Sequence, residues 1–309
     1  MKKIVILFIS LLGNMLLVTA CKAGSFSPGI TLVGSTPCNS YIGSVLNITP
    51  GADAEFIKWK IVLKDEGAGK QTFDLDLNFG QSQPNTTGFV NGGQKRTLHG
   101  SYVIQTEQIE NVSGMVYRLQ SDKLTTPISL LKINENIFQI LSKERTLLSG
   151  GGDYSYSLNR ESIVKSPNIL TSLVSTAFAP TDKATTIIFD ARTPCWEIAG
   201  DNGFNVAADC FKLKWKLTLR RDPTTLSPTT FTIERTDKRQ NAVDGNWAII
   251  KGSPSQPNII IYRLSPSTSD PAILLFVGDH NVLFLQNKDG QLYTGNELHS
   301  YTFNRRSSN

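Results

Sequence analysis

The second half of this chain repeats the first. Gly100-Ser101-Tyr102-Val103-Ile104 returns as Gly245-Asn246-Trp247-Ala248-Ile249, and Tyr117-Arg118-Leu119 returns as Tyr262-Arg263-Leu264. Ser155-Tyr156-Ser157-Leu158-Asn159-Arg160 returns as Ser300-Tyr301-Thr302-Phe303-Asn304-Arg305, and all three pairs share one offset of 145. Laid without a gap, 100–160 and 245–305 hold 15 identities in 61 positions. A long period of this kind means that one structural unit occurs twice, so a 309-residue chain is expected to form two small cores rather than one large one. Upstream the offset drifts to 156 at Lys58-Trp59-Lys60 against Lys214-Trp215-Lys216, and to 157 at Thr36-Pro37-Cys38 against Thr193-Pro194-Cys195. Copy one therefore carries its extra length in a single loop, around Gly80 to Leu98. That loop is rich in Gly, Asn and Pro, which is turn chemistry and reads as a long mobile hairpin tip.

Within each copy the apolar residues recur at period two. Ile57, Trp59, Ile61 and Leu63 alternate with Phe56, Lys58, Lys60 and Val62; Phe211, Leu213, Trp215, Leu217 and Leu219 alternate with Lys212, Lys214, Lys216 and Thr218. One face of such a strand is buried and the other is wet. Further strands are expected at Thr72–Leu77, Gly100–Thr106, Val116–Gln120, Ile128–Ile133, Ile137–Leu141 and the Ser-Tyr segment, each with its counterpart in copy two. With a strand ahead of each Thr-Pro-Cys, every copy has about eight. The chain is thus read as all-β, two tandem antiparallel units, each a closed up-and-down barrel or a flattened sandwich. The expected layout is a leader at 1–20, a tether at 21–30, copy one at 31–160, a linker with a short helix at 161–186, and copy two at 187–306.

The leader decides where the chain works. Lys2 and Lys3 precede an apolar run, Ile4 to Leu17, that is short for a membrane span. The run ends in Val18-Thr19-Ala20-Cys21, a lipobox-like sequence in which small residues admit the peptidase and Cys21 takes the diacylglycerol. The plainer alternative is an ordinary secretory signal with a cysteine at the cleavage site. Either reading exports the protein, and the lipobox attaches it to a membrane through its N-terminal lipid. Lys22 is not the aspartate that typically retains lipoproteins in the inner membrane, so the outer membrane is expected. The whole chain carries +5, from 31 basic and 26 acidic residues. Removing the leader's two lysines leaves 29 against 26, or +3, with the basic residues scattered, which gives no case for nucleic acid.

The order of features narrows the field further. Pro-Cys, a Trp-centred amphipathic strand, Gly-x-(Trp/Tyr)-x-Ile, Tyr-x-Leu, a Leu-rich strand and a closing (Asp/Glu)-x-x-x-(Leu/Tyr)-x-Gly together resemble the N-terminal domain of the NlpE lipoproteins, over about 31–160 and 187–305. That resemblance implies a small lipocalin-like barrel and a role in copper resistance or envelope-stress signalling, with an envelope protein as a partner. It also implies a CxxC pair. Cys38 and Cys195 match the first cysteine, but Tyr41 and Ile198 stand at the second position. Copper therefore enters only through the resemblance, and the residues present argue for no cofactor.

With Cys21 lipidated, an odd number of thiols remains for an oxidising compartment. Cys195 and Cys210 flank a Gly/Asn-rich loop 15 residues apart and are the expected disulfide, worth roughly 3 kcal/mol in the chain-entropy description. Cys38 then has no partner. It reads either as a buried thiol behaving as a small apolar residue or as a soft-metal ligand. His99, His280 and His299 fall at unrelated repeat positions, His299 replacing Tyr154, and are expected at the surface; no zinc ligand set can be assembled from them. Asp74 and Asp76 share one strand face and read as a solvated edge, while Arg160 and Arg305 close each copy and could form salt bridges across a barrel end.

Catalytic signatures are missing: there is no GxSxG, P-loop or dinucleotide fingerprint. Ser162-Ile163-Val164-Lys165 matches SxxK without its companion motifs. The recurrent aromatics Trp59, Tyr102, Tyr117 and Tyr156, with Trp215, Trp247, Tyr262 and Tyr301, either fill the two interiors or line an open cavity. Two functions follow: a non-catalytic envelope lipoprotein that binds a partner or senses stress, or a carrier of a small hydrophobic ligand.

Overall fold

The computed structural model describes residues 29–306 except 68, 110–111, 152–153, 166–169, 171–177, 179–180, 200–205, 207–209, 236–241 and 253–255. Cys21 and half of the linker, including the short helix expected there, lie outside the described residues.

Period-two strands did become hairpins, and the hairpins close. In copy one, β1 (Ile30–Pro37), β2 (Phe56–Asp65), β3 (Gln71–Gly80), β4 (Gln94–Ile109), β5 (Val112–Gln120), β6 (Ile128–Lys132), β7 (Ile137–Ile140) and β8 (Ser157–Arg160) follow one another around a barrel. It closes where Leu32 and Val33 pair with Arg160 and Asn159. In copy two, β9 (Thr186–Thr193), β10 (Leu213–Arg221), β11 (Pro228–Arg235), β12 (Val243–Lys251), β13 (Ile260–Pro266), β14 (Ile273–Val277), β15 (Val282–Gln286) and β16 (Thr302–Arg305) do the same. The protein is all-β, with two closed antiparallel eight-stranded barrels, and the sandwich alternative falls away. Closure also removes the sheet edges, so Asp74 and Asp76 lie on the outer face of a central strand, where Asp74 is bonded to Lys64 and His99 and Asp76 accepts from Thr97.

The Thr-Pro-Cys and Lys-Trp-Lys signals have one physical purpose in both copies. Trp59 Nε1 donates to Thr36 Oγ1 at 2.9 Å and Trp215 Nε1 donates to Thr193 Oγ1 at 2.9 Å. Each threonine is fully buried, so the bond satisfies an indole N–H that would otherwise be stranded in the core. A helix that the strand pattern did not foretell, α1 (Ser40–Leu46), follows β1 and covers one barrel end with Ile42, Val45 and Leu46. Asn39 caps it by accepting from Ile42 N at 2.8 Å, and Asn47 ends it in the left-handed region at φ 52°. A four-residue helix, α2 (Trp196–Ala199), stands at the matching place in copy two.

The barrels meet through a third apolar cluster in which Leu131, Ile133 and Ile137 of copy one join Ile261, Phe276, Val282 and Phe284 of copy two. Along β6, β7, β14 and β15 nearly every residue is buried, inward ones by their own barrel and outward ones by the other. Four of the polar contacts across this seam are reciprocal, whereas the bond from Asn159 Nδ2 to Asn296 O at 3.1 Å has no counterpart from Asn304 among the described residues. Gly150 N donates to Asn304 Oδ1 at 2.9 Å, and Gly295 N donates to Asn159 Oδ1 at 2.8 Å. Each donor and each acceptor is the 145-offset counterpart of the other. Ser155 meets its own counterpart Ser300 at 2.5 Å, and Ser157 meets Thr302 at 2.7 Å. An arrangement in which residue i touches j′ while j touches i′ is isologous, the signature of a twofold axis. The two glycines are needed there: a Cβ would lie 1.7 Å from Tyr154 O at Gly150 and 2.2 Å from His299 O at Gly295.

Candidate functional site

The eight recurrent aromatics are core. Trp59, Tyr102, Tyr117 and Tyr156 are buried in the copy-one cluster, and Trp215, Trp247, Tyr262 and Tyr301 are buried in the copy-two cluster. Tyr117 packs edge-on to Phe138, and Trp247 edge-on to Tyr262, as aromatic quadrupoles favour. None of them borders the described clefts.

Cys195 and Cys210 form the disulfide. Cys38 is free and buried within the copy-one core, where burial, with the charge of Asp53 adding, pushes its thiol up to about 11. A metal-binding thiolate would have to form against that penalty. Among the described residues no group of three His, Cys, Asp or Glu is placed to hold a metal, so the surroundings of Cys38 do not fit a copper centre. Arg305 does pair at its barrel end, with Asp182 at 2.7 Å, whereas among the described residues the Arg160 side chain donates to the carbonyl of Glu135 at 3.5 Å. Ser162 and Lys165 are both exposed.

His99 is exposed, as expected, but His299 is not. It is 93% buried, and neither ring nitrogen has a hydrogen-bond partner. The surface expectation failed for this residue because it stands at the junction of the barrels, which no local pattern announces. Burial, helped by the charges of Arg192 and Lys212, pushes its imidazole down to about 3, so the ring is neutral at physiological pH. His299 borders a cleft of about 350 Å³ between the barrels, a size within the range of small-molecule sites, roughly 300–1,000 Å³.

The walls of this cleft are repeat counterparts of one another. Ser35 and Arg192, Glu55 and Phe211, Phe56 and Lys212, and Tyr154 and His299 all border it, and each pair occupies matching positions in the two copies. The strand register confirms the match: Ser35 pairs with Lys58 as Arg192 pairs with Lys214, one residue before the buried threonine in each case. The cleft therefore lies on the same pseudo-twofold axis as the seam, yet all four pairs are unlike. Across it, the Arg192 guanidinium sits 4.3 Å above the Tyr154 ring, Phe56 packs 4.3 Å from Tyr154, and Phe211 packs 5.5 Å from His299.

The copy-one insertion supplies the remaining wall. Instead of projecting as a free hairpin tip, the segment 81–93 folds back on itself through Val90 N to Gln81 O and Gln83 N to Gly88 O, and it ties to the barrel through Gln81 Nε2 to Gly51 O. Phe89 is thereby buried, with Lys58 over its ring at 5.7 Å, and 82–89 border the cleft. Sequence reasoning had the insertion and the Tyr154-to-His299 exchange as separate observations; what it lacked was the axis that brings them together. Comparison with family models, curated proteins and solved structures gave no match.

Proposed function

We propose that this chain is a non-catalytic binding protein of the bacterial envelope, attached to the outer membrane through lipid on Cys21 and NlpE-like in sensing a ligand or partner rather than transforming it. The observation that carries the reading is the cleft on the pseudo-twofold axis, where the copies differ at every paired wall position and where the one large insertion folds. Differences concentrated at a concave site are what a ligand requires, since a symmetric cleft would offer a small asymmetric molecule the same wall twice. The carrier reading, which placed a hydrophobic ligand inside a barrel, has less support, because buried aromatics and aliphatics occupy both interiors. Carriage would have to use the cleft as well.

Native mass spectrometry of the exported protein, before and after denaturation and alkylation, tests this. A bound mass lost on denaturation, together with an N-terminal mass matching lipidated Cys21, is the expected result. A bare polypeptide that also shows no binding to envelope extracts would remove the ligand-binding part of the proposal. An unmodified Cys21 would remove the anchor.

A further inference from the structure

We infer that the cleft takes a small anion with an aromatic or short aliphatic body, its charged head turned toward the copy-two wall and its body against the copy-one wall. This rests on the reading of the chain as a binding protein and assigns the chemistry of the ligand. Copy two contributes Arg192, Lys212 and His299 at positions where copy one has Ser35, Phe56 and Tyr154. Three of the four exchanges put a cation or a ring donor on the copy-two wall, whereas the fourth, Glu55 against Phe211, runs the other way and leaves a carboxylate on the copy-one wall. Among the described residues, Lys58, Arg192 and Lys212 border the cleft against the carboxylate of Glu55. A concave site carrying such an excess focuses a potential that favours an anion.

The donor geometry agrees. Stacking on Tyr154 holds the Arg192 fork in one orientation, which suits a carboxylate or a similar oxyanion better than a freely moving ammonium would. The neutral His299 ring borders the same cleft with one N–H donor and one acceptor nitrogen, both without a protein partner and both covered, so a ligand reaches them only as the neighbouring rings give way. Buried polar groups are nearly always paired, and an unpaired one at a cleft is an invitation to a ligand or a bound water. Facing it, Phe56 and Tyr154 supply a tilted aromatic pair, and Phe89 closes the side. Those two rings are in contact, so a planar or slender apolar body lies against the pair and Phe89 rather than between them, with its charged end reaching the copy-two wall.

The test is calorimetric titration of the full chain with three probes of one shape and different charge: phenylacetate, phenylacetamide and phenethylammonium. Phenylacetate is expected to bind about tenfold or more tightly than either of the others. Arg192→Gln should cost phenylacetate about tenfold while leaving the amide unchanged, and Lys212→Gln, at the exposed rim, gives a second reading that does not threaten the fold. Phe56→Ala should weaken all three probes alike. In parallel, the His299 imidazole signals in a ¹³C-histidine sample should shift with phenylacetate alone. The inference is overturned if phenylacetate does not bind, if its amide matches it, or if both charge-removing variants bind it as the parent does. A neutral or cationic molecule found in the native mass spectrum would overturn it while leaving the binding function standing.

Discussion

The seam and the cleft lie on one axis but have had opposite histories. At the reciprocal polar contacts of the seam the counterparts remain alike or nearly so, Ser155 with Ser300, Ser157 with Thr302, Asn159 with Asn304 and Gly150 with Gly295, although its apolar part sets Ile133 against Gly278 and Gln139 against Phe284. At the cleft the four paired positions are all different. A self-complementary contact constrains both copies at once, because changing one partner leaves the other's donor buried and unpaired. A concave site is under no such constraint and gains from divergence. The comparison separates what holds the barrels together from what they hold.

The largest effect is expected where the seam is apolar. Phe284 lies on the outer face of β15 yet is 1% exposed, because copy one covers it. Phe284→Asp places an unpaired charge there and should cost about 4 kcal/mol or more. Urea denaturation is expected to change from one transition to two, with the linker becoming accessible to protease. A single transition with unchanged midpoint would mean that the barrels do not depend on this contact.

Next in size is the feature that copy two has and copy one lacks. Cys210 immediately precedes Phe211 and Lys212 of the cleft, so the disulfide to Cys195 anchors that wall. The Cys195→Ala/Cys210→Ala double variant should lose about 3 kcal/mol. Cys38→Ala removes only one small buried group and should cost well under half of that, about 1 kcal/mol. Thermal unfolding of the three proteins decides between this asymmetry and equal roles for the cysteines.

Much of each barrel was legible in the sequence, and neither the seam nor the cleft was. Strand positions followed from period two because each barrel buries one face of every strand, and the repeat supplied two independent views of each strand. The disulfide followed from spacing. Helix α1 was missed because seven residues give the helical period too little length to register, although Asn39 and Asn47 at its ends are good caps. The seam was missed despite a signal: Ile128–Lys132, Ile137–Ile140, Ile273–Val277 and Val282–Gln286 are apolar at both parities, which marks strands covered on two sides. The cleft had no local signal, since its residues come from distant segments joined only by the axis.

His299 sharpens the contrast through pH. Its ring stays neutral in the folded protein to about 3, while in the unfolded chain it takes a proton near its ordinary value of 6.5. The unfolded state therefore binds more protons between these values, and stability must fall as pH drops through that window. Relative to pH 8, the parent should lose about 2 kcal/mol more than His299→Gln by pH 5. Equal pH dependence in the two proteins would mean that the imidazole is accessible to solvent and the cleft floor is open.

The smallest effect tests the symmetry itself. Asn159 and Asn304 accept from Gly295 N and Gly150 N at 2.8 and 2.9 Å, and both side chains are buried. Replacing either with Ala leaves one glycine N–H without its partner, which should cost about 1–2 kcal/mol, and Asn159→Ala also removes the bond that its Nδ2 donates to Asn296 O at 3.1 Å. If the axis is what organises the molecule, both variants will show the glycine-bond loss, Asn159→Ala will cost about 1 kcal/mol more for its extra bond to Asn296 O, and the double variant will lose close to their sum because the two glycine bonds share no atoms. Chemical denaturation of the four proteins completes the cycle. A loss confined to one asparagine would show that the seam, like the cleft, has already diverged in its energetics while keeping its geometry.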